Sequence, residues 1–135
     1  MARILIAEDE EALRALTARA LTDSGHDVVT AIDGADAIDI LTRENGRFEL
    51  LLTDIKMPLM DGIALALATA RDHPKITILL MTAYADQRER AANLDALIHD
   101  VILKPFTLAE IKATVADALA ARNSPAQKSL SSRSI

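Results

Sequence analysis

The chain contains no cysteine and no tryptophan, and only one tyrosine and two phenylalanines among 135 residues. Without cysteine there is no disulfide, no thiolate zinc site and no thiol nucleophile, and nothing argues for an oxidising compartment. Aromatics make up 2% and hydrophobic residues 50%, so the core must be aliphatic. Glycine is scarce, at four, and no glycine-rich phosphate loop or fixed-period repeat is present. No apolar run approaches the roughly 20 residues needed to span a bilayer. Met1-Ala2-Arg3 and Ile4–Ala7 are too short for a signal peptide and run at once into acids, so a cytoplasmic protein is expected. Basic residues number 15 against 20 acidic ones, and the net charge of −5 argues against nucleic-acid or anionic-membrane partners.

What is present is a set of short apolar runs: Ile4–Ala7, Val28-Val29, Leu50–Leu52, Ile76–Met81 and Val101–Leu103. They are nearly continuous rather than alternating, as expected of strands buried on both faces. Between them lie helical stripes. Leu13, Leu16, Ala20 and Leu21 form one, with Thr17 beside them; Ala37, Ile38 and Leu41 form a second. Ile63, Ala66, Leu67 and Ala70 form a third, and Leu108, Ile111, Val115, Ala118 and Leu119 the last. A thinner stripe, Ala91 and Leu94 with Ile98, marks a polar helix between Asp86 and Leu97.

Punctuation agrees with this division. Gly25 and Gly46 suit left-handed helix caps, Thr107 with Glu110 makes a capping box with Phe106 and Ile111 as its staple, and Asp86 with Glu89 resembles a weaker box. Asp61-Gly62 opens the third helix. Five β-α units in one domain predict an α/β fold, a single doubly wound five-stranded parallel sheet with helices on both faces. The domain is expected over residues 1–122, followed by a flexible serine-rich tail over 123–135.

Four of the runs end in polar groups: Glu8-Asp9, Thr53-Asp54, Thr82 and Lys104. Strand carboxyl ends of an open parallel sheet line one crevice, where ligands bind. Singly, each group has an ordinary explanation: acids there favour a helix start, Thr82 a turn, Lys104 a surface charge. Together they form a reaction centre. Glu8, Asp9 and Asp54 offer oxygen ligands suited to Mg²⁺, with Mn²⁺ also possible. Asp54 is the candidate nucleophile toward phosphorus, Lys104 can pair with Asp54 or a phosphoryl oxygen, and Thr82 can donate a hydrogen bond there.

These residues resemble the receiver domain of two-component response regulators, over about residues 3 to 120. Ile4–Ala7 with Glu8-Asp9-Glu10, Leu51 to Pro58, Met60-Asp61-Gly62, Thr82-Ala83 and Lys104-Pro105-Phe106 carry the likeness, in order and at matching spacing. The resemblance implies a flavodoxin-like strand order 2-1-3-4-5. It implies that Asp54 takes a phosphoryl group from a phosphohistidine on a histidine kinase or phosphotransfer protein. Asp9 and Asp54 would bind Mg²⁺ directly, with the backbone carbonyl of Lys56, and Glu8 would act partly through water. Thr82 and Lys104 would sense the phosphoryl group, and the face of the fourth helix, fifth strand and fifth helix would alter its affinity for a protein partner.

The chain departs from the family pattern at three places. Glu8 replaces the commoner Asp, Val101 stands where a switching aromatic is usual, and Leu97-Ile98 replaces a small pair. Lys56 and Tyr84 each lie two residues beyond a site residue, where they can gate water; Tyr84 can equally be a contact residue. The expected protein is a stand-alone, chemotaxis-regulator-like response regulator, not an enzyme beyond its own phosphorylation and dephosphorylation. It would contact a target, relay phosphate or drain it from a kinase, with a homodimer through the fourth helix–fifth strand–fifth helix region possible. Two other classes stay open. A constitutive interaction module with a degenerate switch is one. A metal-dependent aspartyl-phosphate phosphatase is the other, though it would want an acid where Lys56 stands.

Overall fold

A computed structural model describes residues 1–122; the expected tail over 123–135 lies outside the described residues. Five strands and five helices alternate strictly: β1 (Arg3–Ala7), α1 (Glu11–Asp23), β2 (Asp27–Ala31), α2 (Gly34–Arg43), β3 (Leu50–Asp54), α3 (Gly62–Asp72), β4 (Thr77–Thr82), α4 (Ala85–Ala92), β5 (Asp100–Leu103) and α5 (Leu108–Arg122). All strand pairs are parallel and their order is β2-β1-β3-β4-β5. The expected doubly wound α/β sheet is therefore present, and its order reverses between β1 and β3.

Alternate side chains of each strand serve opposite faces. Leu5, Ala7, Leu51, Ile78 and Leu80 pack against α2, α3 and Ala91 of α4. Ile4, Ile6, Leu50, Leu52, Leu79 and Met81 pack against Leu21 of α1 and Ile111, Val115 and Ala118 of α5. Both sets are essentially solvent-free, and each leucine, isoleucine, valine or methionine among them contributes about 1.5–3 kcal/mol through burial. Burial on both faces holds for β1, β3 and β4. It fails for β2 and β5, which lie at the sheet edges and keep exposed positions.

The capping expectations mostly hold. Gly25 and Gly46 have φ of +93° and +66°. Asp61 accepts from the Ala64 N–H at 2.8 Å, and Thr107 and Glu110 exchange both bonds of a capping box at 3.0 Å. Phe106 packs against the cluster that holds Ile111, as the staple requires. The box expected at Asp86 and Glu89 does not form. Tyr84 is the N-cap of α4 and makes no side-chain cap bond, so Asp86 already lies inside the first turn. The helix also ends at Ala92, short of the expected Leu97. Three stripe members, Leu16, Leu67 and Leu108, are 53%, 45% and 43% exposed. The stripes otherwise hold: α1 buries Ala20 and Leu21 together with Thr17, α3 buries Ala66 together with Leu65 and Thr69, and α5 buries Ile111, Val115 and Ala118.

Candidate functional site

The carboxyl ends of β1, β3, β4 and β5 are held in register beyond the last strand residues. Glu8 N donates to Ala31 O at 3.1 Å, Ile55 N to Met81 O at 2.9 Å, and Lys104 N to Thr82 O at 2.8 Å. The sheet ladder thus fixes the backbone at Glu8, Asp54 and Lys104, leaving their side chains few ways to point.

They converge. Glu8, Asp9 and Asp54 each offer a carboxylate oxygen, and these atoms lie within 4.8 Å of one another. Glu8 is 1% exposed and Asp54 7%, while Asp9 is open to solvent. Lys104 Nζ lies 2.9 Å from Glu8 Oε1 and 3.2 Å from Asp54 Oδ2. The expected Lys104–Asp54 pair is therefore present, and Glu8 is the nearer partner, which the sequence did not indicate. The Glu10 N–H donates to Glu8 Oε2 at 3.2 Å, so both Glu8 oxygens are engaged. Arg14 Nη1 donates to the Glu8 carbonyl at 2.9 Å and ties the turn down from α1.

The electrostatics follow from this crowding. Burial pushes the Asp54 carboxyl above its ordinary value; the Lys104 charge opposes the shift without cancelling it. Burial raises Glu8 too, against the hydrogen bond from Lys104. Burial alone would lower Lys104, but the bond to Glu8 and the charge of Asp54 outweigh it and hold its pKa above that of an ordinary lysine. A further cation among these oxygens would relieve the remaining strain. The all-oxygen donor set fits a hard divalent ion.

Gly62 seats α3 against the carboxyl end of β3. Its N–H donates to Ile55 O at 2.7 Å, and a Cβ there would come within 2.0 Å of Asp54 O and 2.9 Å of Ile55 Cα. Only glycine allows that approach, which gives Asp61-Gly62 a physical reason beyond capping.

The remaining sequence-selected residues divide. Thr82 is buried, but its hydroxyl is turned to α4: it donates to Gln87 Oε1 at 2.7 Å and accepts from the Tyr84 N–H at 3.1 Å. Lys56 and Tyr84 are both exposed, and the Lys56 ammonium lies 5.1 Å from the Tyr84 ring centroid, a cation–π contact. Val101 is half-buried on β5 against the α2–α3–α4 face of the core. The histidines do other work: His26 Nδ1 accepts from Ala2 N at 3.1 Å, and His99 pairs with Asp117 at 3.3 Å. Gln87 and Arg14 escaped notice in the sequence because a lone Gln or Arg among charged helical residues carries no spacing signal.

Known proteins resemble this chain in sequence and in fold. The chain is 35% identical over 127 residues to the transcriptional regulatory protein PrrA of Mycobacterium tuberculosis, covering 94% of this chain and 54% of PrrA. It is 36% identical to the response regulator MprA of a Mycobacterium species, covering 91% of this chain and 52% of MprA. It thus spans about half the length of these curated relatives. Among solved structures, a CheY-like receiver domain protein of Methanospirillum hungatei superposes with a TM-score of 0.83 at 27% identity, covering 91% of this chain and 97% of that one. The response regulator TrrA of Thermotoga maritima, solved in complex with Mg²⁺ and beryllofluoride, superposes with a TM-score of 0.77 at 28% identity, covering 87% of this chain and 99% of that one. The profile of the response regulator receiver domain matches residues 4–116, nearly the whole of the described fold, and the chain belongs to that family of two-component signalling proteins.

Proposed function

We propose that Asp54 accepts a phosphoryl group from a phosphohistidine on a histidine kinase or phosphotransfer protein. A carboxylate oxygen of Asp54 attacks phosphorus, a P–O bond forms, the P–N bond breaks, and the imidazole leaves with the electron pair. The observation that carries this reading is Lys104 Nζ bridging Glu8 and Asp54 at 2.9 and 3.2 Å beside a cluster of three carboxylates. After transfer the same ammonium can pair with a phosphoryl oxygen.

Asp9 and Asp54, with the carbonyl of Lys56, would hold Mg²⁺, and Mn²⁺ would suit the same oxygens. Bound there, the ion supplies neutralisation of carboxylate and phosphoryl charge. Both oxygens of Glu8 already have partners, which supports its acting through bound water. The Mg²⁺ and beryllofluoride bound by TrrA support the same ligand chemistry here. Lys56 and Tyr84, stacked at 5.1 Å, would form a small lid that limits water at the phosphoryl group.

A groove of about 340 Å³ beside the site supports docking of the phosphodonor. Leu13, Leu16, Ala83, Pro105 and Phe106 line it with Lys104, which also reaches Asp54. The exposed Leu16 of α1 faces this groove rather than the core. Output would pass through a downstream protein at the face of α4, β5 and α5, near which Tyr84 just before α4, Leu97 just before β5 and Leu103 of β5 are exposed, and the same region would carry any homodimer. With Val101 at the switch position, α4 itself, not an aromatic ring, would carry the change. The phosphatase reading lacks support: two residues beyond Asp54 stands a lysine engaged with Tyr84, not an acid.

The test is intact mass after incubation with acetyl phosphate and Mg²⁺. One added phosphoryl group on the wild type, absent with EDTA and absent from Asp54→Asn, is expected. No adduct, with no phosphate released, would favour a constitutive interaction module instead.

A further inference from the structure

The Thr82 hydroxyl, at the carboxyl end of β4, is turned to α4. It carries a single proton, and that proton is committed to Gln87 Oε1 at 2.7 Å. The same oxygen accepts from the Tyr84 N–H at 3.1 Å, which makes Thr82 the cap for an α4 that has no side-chain cap of its own. Among the described residues, these are the only side-chain hydrogen bonds that tie α4 and its N-cap to the strands. Ala91 is its one buried hydrophobic side chain among them. The helix is otherwise polar, so this small network has a large share in fixing where its first turn sits.

We infer that Gln87 is a positioning residue for phosphoryl sensing: it holds the Thr82 proton in the resting chain and must surrender it when Asp54 is phosphorylated. A hydroxyl cannot donate its one proton to two acceptors. Donation to a phosphoryl oxygen therefore breaks the bond to Gln87 Oε1. Gln87 then has two courses: it rotates its amide, so that Nε2 donates to Thr82 Oγ1, or it leaves with the first turn of α4. In both, the charge state of Asp54 is converted into a change at the polar face of α4. Gln87 would thus set how much binding energy the phosphoryl group must spend on switching, and so the poise between resting and active forms.

The inference rests on Asp54 as phosphoacceptor, and the experiment separates the two. Beryllofluoride with Mg²⁺ is titrated calorimetrically into the wild-type chain, Gln87→Leu, Thr82→Ala and the double variant. Gln87→Leu should bind beryllofluoride about two- to tenfold tighter, the span of one net hydrogen bond released from competition. The same substitution in the Thr82→Ala background should change nothing, because no proton remains to be held. Affinity for Mg²⁺ alone should stay at the wild-type value, which a general loosening of the site would not allow. Gln87→Glu keeps an acceptor and cannot donate, so it should bind no tighter than the wild type. An unchanged affinity in Gln87→Leu, an equal shift in the Thr82→Ala background, or tightening in Gln87→Glu would overturn the inference while leaving the phosphoacceptor intact. Failure of the wild type to bind beryllofluoride would overturn both.

Discussion

The ammonium of Lys104 joins two buried carboxylates that are 46 positions apart in the chain: it lies 2.9 Å from Glu8 and 3.2 Å from Asp54. One cation thus serves two acids, and each is held above its ordinary pKa by burial despite it. The arrangement is stable enough to exist and short of positive charge, which is the condition that favours a metal ion and an incoming phosphoryl group.

Replacing Lys104 with Met leaves both acids without their cation. The metal-free fold should lose about 1–3 kcal/mol at neutral pH, the cost of stranding a buried charged hydrogen-bond partner. Urea unfolding curves with and without Mg²⁺ check this. The loss should shrink when the metal is present, because it neutralises the same oxygens.

The pH dependence has a definite sign. Asp54 and Glu8 have raised folded-state pKa values, so between about 4, the ordinary carboxylate value, and those raised values the folded chain binds more protons than the unfolded one. Stability contributed by the pair therefore falls as pH rises through that window and stays low at neutrality. Lys104, also raised, contributes stability that is complete below the ordinary lysine value and lost as pH rises through its folded value. In metal-free buffer the melting temperature should fall less steeply in Asp54→Asn than in the wild type as pH rises above the ordinary carboxylate range. Parallel pH profiles for the two chains would contradict the assignment.

Gly62→Ala should weaken fold and site together. The added Cβ would overlap the Asp54 carbonyl at 2.0 Å, and backbone on both sides must shift. A cost of about 1–3 kcal/mol is expected for overpacking of this kind, with a lower Mg²⁺ affinity measured by titration. Alanine at Gly25, which has open space around it, should leave the Mg²⁺ site unaffected despite the strain of its positive φ.

Lys56 and Tyr84 should act as one unit on the phosphoryl lifetime. An exposed cation–π contact is worth about 0.5–1 kcal/mol, so Lys56→Ala or Tyr84→Ala should speed loss of phosphate about two- to fivefold, and the double variant no further. Timed intact-mass measurements read this directly. Additive effects would show that the two side chains do not work through their mutual contact.

The parts legible in the sequence are those fixed by burial and by chain direction. β1, β3 and β4 announced themselves because both faces are covered, and a parallel sheet sends their ends, with that of β5, to one edge, where Glu8, Asp9, Asp54 and Lys104 meet. Helical spacing identifies a stripe but not its edges, so Ala20, Ala66 and Ile111 are buried while Leu16, Leu67 and Leu108 of the same stripes lie at the surface. The polar α4 gave the weakest pattern. Its true start at Ala85 and the bond from Thr82 to Gln87 depend on side-chain direction, which no periodicity encodes. The preference of Lys104 for Glu8 over Asp54 is likewise a matter of fractions of an ångström.

The most direct test of the central claim locates the phosphoryl group itself. The chain is phosphorylated with acetyl phosphate and Mg²⁺, reduced with borohydride, digested and sequenced by mass spectrometry. An acyl phosphate on Asp54 is reduced to an alcohol, so the expected result is homoserine at position 54 and at no other acid. Reduction at Glu8 or Asp9 instead, or a phosphoryl group that survives borohydride, would contradict Asp54 as the acceptor.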